Sequence, residues 1–261
     1  MIHELRLFLI ALQFMTRVPV PLWVGFESEW LNRSARHFPG VGLLVGAAGA
    51  AVLWLAGQLW PMSVAVGLSM AATLWLTGAF HEDGLADTCD GLGGAVTRER
   101  ALEIMKDSRI GAYGAIGIVT MLGLKATTLA TLPLVIAMPA LVLGHTASRA
   151  AATFVMAWLP YAGDFAHAKT KPLAQQVGAV EVAGAVLWVG LVCGGVWMVG
   201  AIAAWVLVVA LAVAAVAAVL CGRWLQRRLG GFTGDTLGAT QQFAEVALLL
   251  GVSATVHLGL A

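Results

Sequence analysis

The chain has 261 residues, 60% of them hydrophobic and only 11% charged, with a formal net charge of +1. Soluble domains carry roughly 25% charged residues; this composition, with a mean hydropathy of +0.87, excludes an ordinary soluble domain and implies a polytopic membrane protein. The near-balanced charge gives no reason to expect a nucleic-acid partner.

The first element, MIHELRLFLIALQFMTRVPVP, is an apolar run bracketed by Arg6 and Arg17 with no small-x-small cleavage site after it, so it does not read as a signal peptide. Arg6, Gln13 and Arg17 share one helical stripe, which suits a helix lying in the membrane interface and stopped by Pro19 and Pro21. Seven apolar stretches follow, at about 40–60, 62–80, 111–131, 134–159, 178–198, 199–221 and 242–260. Each approaches the ~20 residues that cross a hydrocarbon core. The 178–221 block holds one charge, Glu181, and is long enough for two spans. The expected fold is all-α: a polytopic membrane helix bundle of about seven transmembrane helices plus the N-terminal interfacial helix, one domain over residues 1–261.

Charge placement supports that count. Of fifteen Lys and Arg, thirteen fall in segments 1–39, 81–110, 160–177 and 222–241. Seven spans put these four segments on one side, and the opposite connections are short and uncharged. The positive-inside rule then places the N-terminus and every long loop in the cytoplasm, as a multi-pass protein of the cell (inner) membrane. The three cysteines, Cys89, Cys193 and Cys221, are too scattered for a zinc site or a Cys-x-x-Cys pair.

After the second span comes HEDGLADTCDGLGG, residues 81–94. Read as a helix continuing out of that span, it projects Asp83, Asp87 and Asp90 (i, i+4, i+7) from one face. Like charges at a helix C-terminal end repel one another and oppose the macrodipole, so the arrangement calls for a cation. Oxygen donors without His or Cys indicate Mg²⁺, with Mn²⁺ as a substitute. Glu82 lies off the stripe and serves as a supporting acceptor; His81 is a structural partner or a base. A solvated acidic loop is the plainer alternative.

Residues 97–117 then supply cations. In KDSRIGAYG, Lys106 and Arg109 precede a glycine-rich helix start where a phosphate would be held by side chains and amides together. Asp107 is a further metal ligand or the ion-pair partner of Arg109. Inside the spans, Lys125 and the i, i+4 pair His145 and Arg149 by default face the bundle interior, with Glu245 as the acidic counterpart; snorkelling to the interface is the alternative for Lys125. Arg149 is a candidate phosphate ligand; a buried ion pair that fixes helix packing is the alternative. Last, GGFTGDTLGATQQFAE (230–245) surrounds Thr233 and Asp235 with glycines, either a turn able to bind phosphate or metal or only a loop that re-enters the bundle.

Taken together, ALQFMTRVPVP (11–21), HEDGLADTCDG (81–91), KDSRIGAYG (106–114) and GGFTGDTLGA (230–239) resemble the signatures of the cobalamin 5′-phosphate synthase, or adenosylcobinamide-GDP ribazoletransferase, family. The likeness runs in order over essentially the whole chain. Glu82 departs from the family pattern, in which an apolar residue stands beside the Asp. The acidic motif also approaches the Asp-x-x-Asp-Gly-x-x-Ala-Arg of CDP-alcohol phosphotransferases, but Leu-Gly-Gly-Ala-Val follows Gly91 here.

The resemblance implies a Mg²⁺-dependent transfer of adenosylcobinamide phosphate from adenosylcobinamide-GDP to α-ribazole or its 5′-phosphate, releasing GMP in the nucleotide-loop closing step of vitamin B12 synthesis. Asp83, Asp87 and Asp90 would hold the metal across the diphosphate. Lys106, Arg109 and Arg149, with Thr233 and Glu82 at the substrate, would serve the phosphates; Asp235 would complete the metal shell or orient the nucleophile. An aspartate or His81 would take the hydroxyl proton. Expected partners are these substrates and the bilayer, with a homo-oligomer and contacts to other B12-assembly enzymes left open. A CDP-alcohol phosphotransferase of lipid synthesis is the alternative. A cation transporter is disfavoured, because its acids would lie near the midplane on broken helices.

Overall fold

Residues 2–94, 97–163, 174 and 177–259 are described by a computed structural model. The helices are α1 (Ile2–Met15), α2 (Ser28–Ser34), α3 (Phe38–Gly57), α4 (Met62–Thr77), α5 (Phe80–Gly94), α6 (Arg98–Met105), α7 (Ala112–Thr131), α8 (Leu134–Trp158), α9 (Ala179–Met198), α10 (Ala204–Leu229) and α11 (Gly234–His257). Among the described residues the only β-type pairing is an isolated bridge between Tyr161 and Phe232. The expected all-helical membrane architecture is present.

Among the described residues, five helical runs are long and apolar enough to cross a membrane: Ser28–Gly57, α7, α8, α9 and α10. The pair α4 and α5 makes a sixth when counted as one, but it is bent by 88°. The stretch expected at 242–260 belongs to α11, which starts earlier, at Gly234. Its Thr240, Gln241, Gln242 and Glu245 are buried inside the bundle, and that polarity keeps the helix outside the apolar count. The segment expected at 160–177 lies mostly outside the described residues.

The bundle has two distinct ends. At one, Gly57 packs towards Leu134, and Ile136, Trp197, Ile202 and Val256 line a common cavity of about 290 Å³. The short connections gather there. At the other, Arg36 pairs with Glu181 at 2.7 Å, and Arg98 donates to the carbonyls of Leu229 (2.7 Å) and Ala162 (2.9 Å). Residues far apart in sequence, near 36, 98, 162, 181 and 229, therefore meet on one side, as the basic-residue pattern requires.

Two apolar clusters fill the interior, one around Met15, Leu31, Phe38, Val155, Leu225 and Phe232, the other around Leu53, Val66, Leu141, Val206, Leu248 and Val252. On α8 the second cluster ends at Ala147 and the first begins at Ala152, with Arg149 between them. Gln241 and Glu245 fall likewise between Leu237 and Leu248 on α11. A polar layer thus separates the two cores.

The N-terminal helix departs from the expected stripe. It ends at Met15, before the prolines, and Thr16 Oγ1 donates back to the Leu12 carbonyl at 2.7 Å. Arg17 lies past the helix, its backbone N–H bonded to Leu76 O at 2.8 Å. Leu7, Ile10, Ala11 and Met15 face inward, so α1 is docked on the bundle. Its Glu4 accepts from His37 (3.0 Å) and Arg36 (3.3 Å). Burial alone would raise the Glu4 pKa, but these two cationic or donor neighbours hold it below the usual carboxylate range.

Candidate active site

The acidic helix does not continue the second span. Gly78 (φ +68°) and Ala79 (φ +57°) both adopt left-handed backbone, which ends α4 as a left-handed cap ends many helices. Ala79 is the costly member of the pair, since a Cβ is disfavoured there. The Arg17 guanidinium packs against the bend, where a Cβ on Gly78 would lie 2.8 Å from its Nε. Helix α5 restarts across the end of α4. His81, Glu82, Leu85 and Thr88 turn inward, whereas Asp83 is exposed and Asp87 and Asp90 are half-buried. The predicted stripe therefore exists, on the outward face.

Two glycines bring the last helix against it. A Cβ on Gly84 would lie 2.7 Å from Asp235 O and 2.9 Å from its Cα; one on Gly238 would lie 2.9 Å from His81 O. Backbone meets backbone, and Asp235 stands beside α5. Thr233 caps α11: its Oγ1 accepts from Thr236 N (3.3 Å), and its own N–H donates to Thr236 Oγ1 (2.8 Å). Thr233 is buried and engaged at this cap.

Asp90 links α5 to the next motif. One carboxylate oxygen accepts from Gly111 N (2.7 Å), the other from Gly114 N (2.8 Å). It satisfies the first amides of α7 and places a negative charge at that helix's positive end. The 106–109 segment is thereby held beside the acidic face. Within it, Arg109 grips Asp107 at 2.6 Å. Hydrogen bonds from the Arg109 side chain and backbone push the Asp107 carboxyl down to about 2, and the contact raises Arg109 in turn. Asp107 is thus the ion-pair partner of the two alternatives.

Beneath α5 lies the charged interior. Lys125 Nζ is 2.5 Å from Glu245 Oε1, and His145 Nδ1 is 3.5 Å from Glu245 Oε2. Arg149, 1% exposed, donates through one terminal nitrogen to His145 O at 2.9 Å. The expected pairing with Glu245 is present for Lys125, and His145 lies beside the same carboxylate. Sequence reasoning missed the rest of the network: Ser148, Gln241 and Gln242, all buried. Two adjacent glutamines in an apolar stretch, the first four residues before a glutamate, were the available signal. Arg98 was also unforeseen as a staple between α6, α10 and residue 162.

The structure thus brings Asp83, Asp87, Asp90, Lys106, Arg109, Thr233 and Asp235 to one end. It places His81 and Glu82 on the inner face of α5, and Arg149 in the polar layer below. Among the described residues, no three His, Cys, Asp or Glu side chains converge to hold a metal ion; the aspartates stand along a face instead of around a point.

A multi-pass helical membrane protein with an acidic surface helix over a charged interior is one defined class; membership within it follows from comparison. The chain belongs to the cobalamin-5-phosphate synthase family, whose model matches residues 7–253. It is 60% identical over 254 residues to the adenosylcobinamide-GDP ribazoletransferase of Leptothrix cholodnii, covering 96% of each chain. It is 48% identical over 251 residues to that of Shewanella amazonensis, with 95% of each covered. Against the Vibrio cholerae enzyme of the same name it is 44% identical over 252 residues, covering 95% of this chain and 93% of that one. No solved structure matches the chain.

Proposed function

We propose that this chain is an adenosylcobinamide-GDP ribazoletransferase, moving adenosylcobinamide phosphate to α-ribazole or its 5′-phosphate with release of GMP. The observation that carries this is the meeting of the acidic, basic and glycine-rich motifs at one end of a family member's bundle. A ribose hydroxyl oxygen attacks the phosphorus attached to cobinamide. The bond from that phosphorus to the bridging oxygen breaks, GMP leaves with the electron pair, and the hydroxyl proton passes to a base.

The basic side chains Lys106 and Arg109 bind phosphate oxygens and offset the charge that grows on the departing GMP. Arg149 lies too deep for that part and belongs to the interior network. His81 faces inward as well, so the proton passes to an aspartate at this end of the bundle. Asp235, beside α5, orients the attacking hydroxyl.

A divalent cation fits this donor set. Mg²⁺ is ordinarily held by one or two carboxylates together with substrate phosphates, and the face offers hard oxygen donors without imidazole or thiolate. Asp83 and Asp87 would hold it, or Mn²⁺ in its stead, while Asp90 keeps α7 alongside. When bound, the ion neutralises diphosphate charge. The basic loops favour a cytoplasmic orientation in the inner membrane.

In purified protein, Asp87→Asn should abolish GMP release while leaving insertion and yield unchanged. Near-normal turnover in that variant would refute the carboxylate assignment, and equal use of a CDP-linked donor would redirect the reading to the CDP-alcohol phosphotransferases.

A further inference from the structure

Glu82 directly precedes Asp83 on α5, yet it turns the opposite way. It is 9% exposed, and its Oε1 accepts from Gln242 Nε2 at 2.8 Å. The same nitrogen donates to Gln241 Oε1 at 2.9 Å. Gln241 Nε2 in turn donates to Glu245 Oε2 (2.6 Å) and Ser148 Oγ (2.8 Å). Lys125 closes the line on Glu245 at 2.5 Å.

A primary amide nitrogen carries two hydrogens, and both glutamines spend both. The donors run one way, from Gln242 to Gln241 to Glu245, and neither amide can turn over without stranding a buried donor. The line connects α5, α7, α8 and α11 through the polar layer.

We infer that Gln242 is a positioning residue: through Glu82 it fixes the rotation of α5 about its own axis and so the outward aim of Asp83 and Asp87. Successive helical residues are separated by about 100°; with Glu82 tied to α11 and His81 buried on one flank of it, Asp83 on the other flank is the one left exposed. The inference rests on the proposed transfer reaction for its catalytic consequence, but its geometric content does not. It also separates Glu82 from substrate binding. The Glu82 Oε1 is engaged by Gln242 and the side chain is buried away from the outer face, and a carboxylate would repel an anionic diphosphate.

The role asks of Glu82 an acceptor oxygen, which glutamine also has. Glu82→Gln should therefore keep kcat within about threefold of the parent, whereas Glu82→Leu and Gln242→Leu should each lower it about tenfold with KM for the GDP-linked donor little changed. The double variant should be no worse than the weaker single one, because both remove the same bond.

A second readout needs no catalysis. With Cys89, Cys193 and Cys221 replaced by alanine, Asp83→Cys should react rapidly with a membrane-impermeant maleimide and Leu85→Cys slowly. Adding Gln242→Leu should narrow that difference, and adding Glu82→Gln should preserve it, measured on the monodisperse fraction. If Glu82→Gln is as impaired as Glu82→Leu, or Gln242→Leu leaves both kcat and the labelling contrast unaltered, the positioning role is overturned. Should the labelling follow expectation while the parent protein releases no GMP, the positioning stands and the transfer reading falls.

Discussion

Glu245→Leu should be among the most damaging single changes in the chain. The carboxylate is fully buried, with Lys125 at 2.5 Å and the Gln241 amide at 2.6 Å. Removing one member of a buried ion pair costs about 3–5 kcal/mol, because the other charge stays uncompensated. The stranded Gln241 hydrogen adds about 1–3 kcal/mol. The sum, about 4–8 kcal/mol, is comparable with the ~5–15 kcal/mol that separates folded from unfolded states of a typical protein. Glu245→Gln keeps an acceptor for Gln241 and should lose about 3–5 kcal/mol. Combining Lys125→Met with Glu245→Leu removes both charges and should recover most of the loss, leaving about 1–3 kcal/mol for the amide. Thermal melts followed by tryptophan fluorescence in detergent would compare the parent, Lys125→Met, Glu245→Leu, Glu245→Gln and the double variant, at about 2–4 °C per kcal/mol for a chain near this size. Additive losses in the double variant, or a Glu245→Leu melt within 2 °C of the parent, would refute the account of a pair held against its own desolvation.

Asp90→Ala should free the first amides of α7 at a cost of about 0.5–2 kcal/mol, with Asp90→Asn retaining part of the cap; faster amide exchange at Gly111 and Gly114 in the alanine variant checks it. Gly84→Ala places a Cβ 2.7 Å from Asp235 O, so α5 and α11 must separate; GMP release should fall at least tenfold with a clear loss of thermal stability. Acid should loosen α1. The folded-state pKa of Glu4 is depressed, so its stabilisation is present above the ordinary carboxylate pKa of about 4.3 and lost as pH falls below it. Exchange at α1 amides, corrected for intrinsic rates, should rise between pH 6 and pH 3.5 and lose that rise in Glu4→Gln.

Length and polarity made the spans readable, since few soluble folds sustain apolar runs of that extent. The outward aspartate stripe was equally readable, because three positions at i, i+4 and i+7 share a face wherever the helix points. The direction of α5 was not. Its break needs left-handed backbone at Ala79, and no local preference assigns that to an alanine; packing by Arg17 and the descent of α11 onto Gly84 impose it. Helical spacing places Asp90 on a face but says nothing about α7 lying within reach of both its oxygens. Gln241 and Gln242 were passed over because a polar residue in an apolar run acquires a meaning only when its neighbours across the bundle are known. Arg149 illustrates the converse: its burial was foreseen, whereas its commitment to the His145 carbonyl, well below the acidic face, depended on depth along α8.

The right-angle bend at Gly78 and Ala79 makes α5 a lever. Its 15 residues form an arm of about 22 Å, so a swing of only 10° at the bend would sweep the far end by about 4 Å, longer than any hydrogen bond that secures it. The arm is pinned at three points along its length: Glu82 to Gln242, Gly84 to Asp235, and Asp90 to the start of α7. Accuracy at the aspartates is therefore set by these distributed fastenings more than by stiffness at the fulcrum, and small losses at any one of them are magnified towards Asp90.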